Sequence, residues 1–578
     1  MSSRDPNHPS PTLSVAITGS GGSGVVTAGQ MLLMAVADAG LYGLMGRSAG
    51  PQIRGGESAV MLRTGDHQID CLDDHFDILI ALDWLNVNRF AEEIPLTPES
   101  LIVCDPESGT VPEAIAHQGA RVMTLPLNAL AKGVTEGRVN MVALGVIAEL
   151  LGLPRQTMLS VVDKALKRKG AGVIDSAHQC VNIGFDQPKS LQLRSKLPTI
   201  SVPPPRWNIS GNEASGIGAL RGGVRFVAAY PITPATEMLE WLAPNLEKLG
   251  GALLQAEDEL ASINMIIGGS FGGIPSLTAT SGPGLSLMME GLGLAVTSET
   301  PVVVANVMRG GPSTGIPTKS EQSDLNIALY GFHGDAPHLV LGALDIRDCA
   351  FTTEWAVRLS EELQTVAIVL SDQSQGQARS VIDPPPAAPA GHGRKLAQAN
   401  EGDYLRYRLD PEDGISPMAI PGTEGCLYTA DGLEHNERGT PSSMPRDHQR
   451  QLDKRLCKLT NFDSGSPWAE IRGTGENCII TWGSSSGAAF EAANRLARLG
   501  RATRVIAIRL LSPLPENRLF EALAGATRVL TVEQNHGGQL YHYLHALRLL
   551  PDSARMLARP GPLPIRPGEI IQTMLEQY

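Results

Sequence analysis

The chain has 578 residues, more than one core can serve, and about 150 residues per domain points to three or four domains. Its 42% hydrophobic and 19% charged content is that of an ordinary globular protein, and a net charge of −13 argues against a general nucleic-acid binder, which needs a basic footprint. No apolar run approaches the roughly 20 residues that span a bilayer, and residues 1–12 are polar and Pro-containing, so a cytoplasmic location is expected.

Seven cysteines (Cys71, Cys104, Cys180, Cys349, Cys426, Cys457 and Cys478) are scattered with no Cys-x-x-Cys pair. A zinc or iron–sulfur site made by this chain alone is not expected, and the thiols read as buried groups in a reducing compartment.

In chain order, Leu13–Thr18 predicts a buried strand, Gly19-Ser-Gly-Gly-Ser-Gly24 a turn, and Val25–Ala39 a helix. Strand, Gly-rich turn and helix open a βαβ unit, and Gly19, Gly21 and Gly24 fit the dinucleotide spacing, with Gly22 beside them. The acidic residue expected roughly 20 positions further on to hold a ribose hydroxyl is missing, which disfavours NAD. Two readings stay open: a tight turn for helix–strand packing, or a cradle for a phosphate-bearing group such as coenzyme A. After a strand at Leu41–Met45 comes a polar Gly-rich segment, Gly46 to Glu57, carrying Arg47 and Arg54. It reads as a solvated loop, an anion site or a subunit contact. Strand-like runs at Asp77–Leu82, Leu101–Asp105 and Arg121–Leu125 alternate with helical patterns, notably Asn140–Leu151 and Arg155–Lys169. Alternation of this kind predicts an α/β fold with mostly parallel, doubly wound sheets. Residues 1–190 form the first domain on this reading, and 191–206, with Pro203-Pro204-Pro205, a stiff linker.

Residues 207–382 hold four polar motifs, each after a short apolar run: Tyr230-Pro-Ile-Thr-Pro234, Glu257-Asp-Glu259, Thr280-Ser-Gly-Pro-Gly284 and Arg309-Gly-Gly-Pro-Ser-Thr-Gly315. Ligands of an open α/β sheet sit outside the carboxyl ends of its strands, so the four motifs are expected to converge on one sheet edge. Thr233 before Pro234 has the form of an N-cap with Pro at the first helical position, or of a hydroxyl facing a ligand. Acids in a first helical turn suit the helix dipole, but three in a row exceed what capping needs.

These motifs, with Arg54-Gly-Gly56, Gln322 and Asp324, resemble the α subunit of 2-oxoacid:ferredoxin oxidoreductases with the family's γ domain fused in front, most like enzymes acting on 2-oxoglutarate. The resemblance covers nearly the whole chain. It implies that Glu259 contacts the aminopyrimidine of thiamine diphosphate, where a carboxylic acid on the ring nitrogen favours the tautomer that deprotonates the thiazolium. It implies that Thr233 lies at the substrate carbonyl and carboxylate, and that Arg309 pairs the 2-oxoacid carboxylate. Ser313, Thr314 and Lys319 then suit the far carboxylate of a dicarboxylic substrate. The chain has no Gly-Asp-Gly run and no cysteine set for a cluster. The resemblance assigns the diphosphate, Mg2+ and [4Fe-4S] sites to a separate β subunit, with coenzyme A as co-substrate, ferredoxin as electron partner, and a dimer of γα/β heterodimers as the assembly.

Residues 383–466 begin with a Pro-rich linker and continue through a polar, turn-rich stretch, Tyr404 to Asn461, expected to be an ordered but irregular arm contacting another subunit. From 467 to 578 the βα rhythm returns, with Gly483-Ser-Ser-Ser-Gly487 and Gln534-Asn-His-Gly-Gly538 after strand-like runs. This part resembles the transketolase C-terminal domain, which implies a mainly structural role. The same chemistry on pyruvate or a branched 2-oxoacid, and a non-catalytic scaffold, are the rival readings.

Overall fold

The computed structural model describes residues 12–49, 57–85, 87–187, 193, 195–399 and 402–576. The strands in chain order are β1 (Leu13–Ser20), β2 (Tyr42–Ala49), β3 (Glu57–Gly65), β4 (Ile78–Ala81), β5 (Leu101–Cys104), β6 (Arg121–Thr124), β7 (Trp207–Ser210), β8 (Phe226–Ala229), β9 (Ala252–Gln255), β10 (Ser276–Thr280), β11 (Val302–Met308), β12 (Leu339–Gly342), β13 (Val366–Asp372), β14 (Arg379–Ile382), β15 (Ala469–Arg472), β16 (Asn477–Trp482), β17 (Thr503–Ile508), β18 (Leu510–Ser512), β19 (Arg528–Glu533) and β20 (Arg555–Ala558). They divide between two compact units. The first takes the chain up to Ser210 with Gln377–Pro384 and Arg566–Gly568; the second takes Gly211–Gly376, Pro385–Ile565 and the residues from Glu569.

The first unit holds one eight-stranded sheet, ordered β6-β5-β4-β1-β3-β2-β14-β7. Its β6-to-β1 half is parallel, as the alternating pattern predicts, and its other half is antiparallel. The difference arises at β2 and β3. The chain returns directly as an antiparallel pair, registered from Tyr42↔Gly65 to Ala49↔Ser58, where the sequence suggests only a short strand and a long loop. A hairpin needs no crossover helix, so the helical rhythm gives no warning of it. Both ends of the expected 207–382 domain also belong here, because β7 and β14 pair with each other and β14 with β2.

The second unit holds two sheets. The larger is ordered β18-β12-β13-β11-β10-β8-β9 and is parallel from β12 to β9. Its central strands β11 and β13 are buried along their whole length, and a sheet covered on both faces takes such unbroken apolar runs. The smaller sheet is ordered β15-β17-β16-β19-β20, parallel except for β15.

The arm expected to be irregular contains a 16-residue helix, Pro445–Thr460. Its buried positions are Gln451, Lys454, Arg455, Lys458 and Leu459, all polar but the last. A helix with a polar inner face lacks the apolar stripe that periodicity detects. What it buries is charge: Lys454 and Lys458 both place Nζ on the carboxylate of Glu299, and Arg406 donates to the Glu299 carbonyl at 2.8 Å.

Candidate functional site

Strands β11, β10, β8 and β9 are consecutive neighbours in one parallel sheet. The motifs that follow them in sequence therefore emerge from the same edge, as expected from their positions at strand ends. Each is shaped differently by its local sequence.

After β8 the Thr233–Pro234 peptide is cis, and the helix begins only at Thr236 with Ala235 as its N-cap. Thr233 therefore does not cap that helix, contrary to the expectation from Thr-Pro. Its carbonyl accepts instead: Arg309 Nη1 donates to Thr233 O at 2.6 Å. The buried Asn212 holds the next carbonyl, donating from Nδ2 to Pro234 O at 2.9 Å.

After β9, Asp258 is the N-cap of the helix Glu259–Phe271, its carboxylate accepting from the Ala261 amide at 2.7 Å. Capping thus falls to Asp258 and leaves Glu259 without that duty. Glu259 is only 7% exposed, and among the described residues nothing donates a hydrogen bond to its carboxylate or pairs its charge. It lies over the Thr-Ser-Gly-Pro-Gly turn. A Cβ on Gly284 would meet Thr280 Oγ1 at 2.1 Å and Glu259 Oε1 at 2.7 Å, so only glycine fits there.

After β11, Arg309 is buried at 6% exposure, and its Nε has no partner. Burial pulls its basicity down, and the charge of Asp324 opposes that effect. Asp324 is itself buried and its pKa is pushed up by desolvation, opposed by a 2.8 Å bond from Asn306 Nδ2, a hydrogen bond from Ser323 and the Arg309 charge. The segment from Gly310 to Lys319 folds back on itself through a Gly310–Ile316 bridge, with Gly310 donating to Lys319 O at 3.1 Å. Gly315 lies at φ 59, and a Cβ there would overlap the Gly310 carbonyl. Ser313 and Thr314 lie exposed at the loop tip, while Lys319 is half-buried at its base.

The structure thus brings Thr233 and Arg309 into contact and puts Glu259 against the neighbouring turn. Three residues given no role by sequence reasoning belong to the same site. Asn306 is a polar residue in an apolar β-branched strand, a signal that was available. Asp324 is noted in the sequence only as one of the residues that carry the resemblance, and Asn212 not at all; the fold brings both to the site.

The edge carries unmet polar capacity. Besides Glu259 and Arg309 Nε, the buried Asn306 Oδ1, Ser281 Oγ and Thr278 Oγ1 have no partner among the described residues. A buried polar group left unpaired costs about 1–3 kcal/mol, so several in the last turns of chain before and after this edge fit a polar ligand. The unpartnered Glu259 carboxyl suits a hydrogen bond from a nitrogen heterocycle such as the aminopyrimidine of thiamine diphosphate. Among the described residues no group of three His, Cys, Asp or Glu could hold a metal ion, and all seven cysteines are free thiols.

In the first unit, the Gly19–Gly24 turn links β1 to the helix Val25–Asp38. Gly22 and Gly24 take φ values of 95 and 88, in the left-handed region. The Ser20 amide is spent on Asp83, which accepts it at 2.9 Å and the Ser20 hydroxyl at 2.8 Å. Gly24 also serves packing, since a Cβ would lie 2.3 Å from Asn140 Nδ2. Gly21 and Gly22 are exposed. Arg54, grouped with these glycines by the sequence, lies outside the described residues. No helix among the described residues is long and apolar enough to cross a membrane.

Comparison with known proteins agrees with this division. Residues 217–454 match the family described as pyruvate flavodoxin/ferredoxin oxidoreductase, thiamine diphosphate-binding. Residues 14–187 match pyruvate ferredoxin/flavodoxin oxidoreductase, and 468–539 the transketolase C-terminal domain. A 2-oxoacid:ferredoxin oxidoreductase subunit alpha of Saccharolobus solfataricus is 30% identical over 91% of this chain and 92% of its own. The 2-oxoglutarate oxidoreductase subunit KorA of Mycobacterium tuberculosis is 30% identical over 83% of this chain and 78% of its own. The solved 2-oxoglutarate:ferredoxin oxidoreductase of Magnetococcus marinus, with 2-oxoglutarate, coenzyme A and succinyl-CoA bound, superposes with a TM-score of 0.91 at 35% identity, over 98% of this chain and 100% of that one. The chain belongs to the 2-oxoacid:ferredoxin oxidoreductase family and is a subunit of such an enzyme.

Proposed function

We propose that this chain is the γ-fused α subunit of a thiamine-diphosphate-dependent 2-oxoglutarate:ferredoxin oxidoreductase. The reaction converts 2-oxoglutarate and coenzyme A to succinyl-CoA and carbon dioxide and passes two electrons to ferredoxin, or runs in reverse as a reductive carboxylation. The observation that carries the reading is the buried, unpartnered Glu259 carboxyl on the sheet edge that also holds the Arg309–Thr233 contact.

Thiamine diphosphate, when bound, supplies the nucleophilic carbon and the electron sink for decarboxylation. Glu259 would hold the cofactor by its aminopyrimidine ring nitrogen, supplying the acid group that thiamine chemistry calls for at that atom. Arg309, with its Nε still free to donate, pairs the 2-oxoacid carboxylate. Thr233 orients the substrate carbonyl from the same turn. Ser313, Thr314 and Lys319 meet the far carboxylate, which would set the preference for 2-oxoglutarate over pyruvate. The Gly19, Gly21, Gly22 and Gly24 loop, with Arg54, is a candidate for coenzyme A. A separate cytoplasmic β subunit would complete the site with Mg2+, the diphosphate contacts and a [4Fe-4S] cluster, in a dimer of heterodimers.

The test is viologen reduction by the chain co-purified with its partner subunit, dependent on coenzyme A, with 2-oxoglutarate and pyruvate in parallel. Activity confined to 2-oxoglutarate supports the reading. Activity confined to pyruvate overturns the role given to the Arg309–Lys319 loop. A thiamine- and cluster-loaded complex with no 2-oxoacid activity overturns the catalytic reading in favour of a scaffold.

A further inference from the structure

The C-terminal sheet has a feature that a purely structural domain does not need. Its helix Ser485–Arg498 follows β16 and leads to β17, while the helix Gln539–Ala546 follows β19 and leads to β20. Because β16 and β19 are neighbours and the chain leaves them in opposite directions, a switch point lies between them. In open α/β sheets that crevice is where ligands bind. The two loops above it are Gly483-Ser-Ser-Ser and Gln534-Asn-His-Gly-Gly, the motifs with no assigned role.

The crevice is filled by Gln322, which is fully buried. Its Nε2 donates to Trp482 O at 2.8 Å, and its Oε1 accepts from the Gln534 amide at 2.7 Å and from Ser485 Oγ at 2.8 Å. Trp482 O can only accept and the Gln534 amide can only donate, so the amide orientation is fixed by its partners. The Gln322 backbone is held as well: its amide donates to Gln534 O at 2.8 Å, and its carbonyl accepts from Asn535 Nδ2 at 3.2 Å. Gly483 is bare because a Cβ there would sit 2.4 Å from Gln322 Nε2. The neighbouring backbone is gripped too, with Gln534 Nε2 donating to Ser320 O at 3.2 Å and Gln539 Nε2 to Ser323 O at 2.9 Å.

Gln322 leads directly into the site. Ser323 Oγ lies 2.8 Å from the Arg309 carbonyl, and Asp324 is the charge facing Arg309. We infer that Gln322 is a positioning residue. The C-terminal domain binds it as an internal ligand in its switch-point crevice, and through it sets Ser323, Asp324 and Arg309 for the 2-oxoacid carboxylate. The last step rests on the reading of Arg309 given above. Small displacements of a binding group are costly to catalysis, so a loop fixed at its return gives the domain a functional role.

The test uses the full chain with its partner subunit and two variants that attack the contact from opposite sides, Gln322→Ala and Gly483→Ala. Hydrogen exchange of the 310–326 segment should rise about tenfold or more while peptides from β8, β10 and β11 stay unchanged. The KM for 2-oxoglutarate should rise about tenfold, with kcat altered less than about threefold. Gln322→Glu adds a pH signature: its KM should fall toward acid pH, where the protonated side chain can again donate to Trp482 O. Exchange rising throughout the unit, or local loosening with unchanged KM, or no change in exchange, each overturns the inference. If the unmutated complex lacks 2-oxoacid activity, the reading of Arg309 fails, and the exchange data still decide whether Gln322 fixes the loop.

Discussion

Arg309 Nη1 donates to the main-chain carbonyl of Thr233 at 2.6 Å. The arginine is buried, its Nε is unpartnered among the described residues, and the charge of Asp324 faces it. One arm of the guanidinium is thus committed to the protein, and what remains has a fixed direction. An ammonium cannot hold a carbonyl and a carboxylate in this way, because it lacks the planar fork. Arg309→Lys is therefore expected to lower kcat/KM for the 2-oxoacid by about tenfold to a hundredfold, mainly through KM, in steady-state assays of the assembled enzyme.

Glu259 separates stability from activity. Its carboxyl is buried without a partner among the described residues, so Glu259→Gln removes an uncompensated group and should leave the melting temperature of the isolated chain unchanged or slightly higher. Activity should fall about a hundredfold or more, because an amide cannot hold the acidic proton that this position requires. A variant that melts early and keeps its activity would remove Glu259 from the site.

Gly284 tests the geometry around that carboxyl. A Cβ would overlap Thr280 Oγ1 and crowd Glu259 Oε1. Gly284→Ala should destabilise the chain by about 1–3 kcal/mol in denaturant unfolding, the usual range for overpacking, and should also lower activity by displacing Glu259. Gly46, where a Cβ meets no atom within 4 Å, is the control position for the stability measurement.

The Glu299 cluster gives a pH dependence. Burial, and the neighbouring cations, pull Lys454 down to about 7 and Lys458 down to about 8, against the pull of Glu299. A lysine whose folded pKa lies below its unfolded value binds fewer protons folded than unfolded in the interval between them. Stability of the helix Pro445–Thr460 should therefore rise with pH from about 7 toward the unfolded lysine range near 10. Glu299, held well below the usual carboxylate range by the three cations, adds stability above its unfolded pKa that is lost as the pH falls through the acid range. Hydrogen exchange of this helix across pH checks both signs, after correction for the intrinsic rate. Lys454→Met should flatten the alkaline slope, and Glu299→Gln, which leaves buried cations uncompensated, should cost about 3–5 kcal/mol.

The amino-acid sequence by itself determined the α/β class, the four strand-end motifs and the family. Those features are local: a strand followed by a Gly/Pro turn and a capped helix is written in adjacent residues. It also carried the separation of Asp258 from Glu259, since one acid is enough to cap a helix. The hairpin of β2 and β3 has no crossover helix to announce it, and the transfer of β7 and β14 to the first sheet depends on pairing between residues far apart in the chain.

Only the tertiary structure decided what the side chains do. Thr233 reads as a helix cap because Thr-Pro has that form, yet the helix begins only at Thr236 and the Thr233 carbonyl is the partner of Arg309. Gln322 reads only as one of the residues that carry the family resemblance, with no role of its own, and becomes the occupant of a crevice built by strands more than a hundred residues further along. The helix Pro445–Thr460 carries no apolar stripe, and folds inward because its cations meet Glu299. In each case the deciding energy is a hydrogen bond or charge pair between groups far apart in sequence, and such a term exists only once the chain has closed around it.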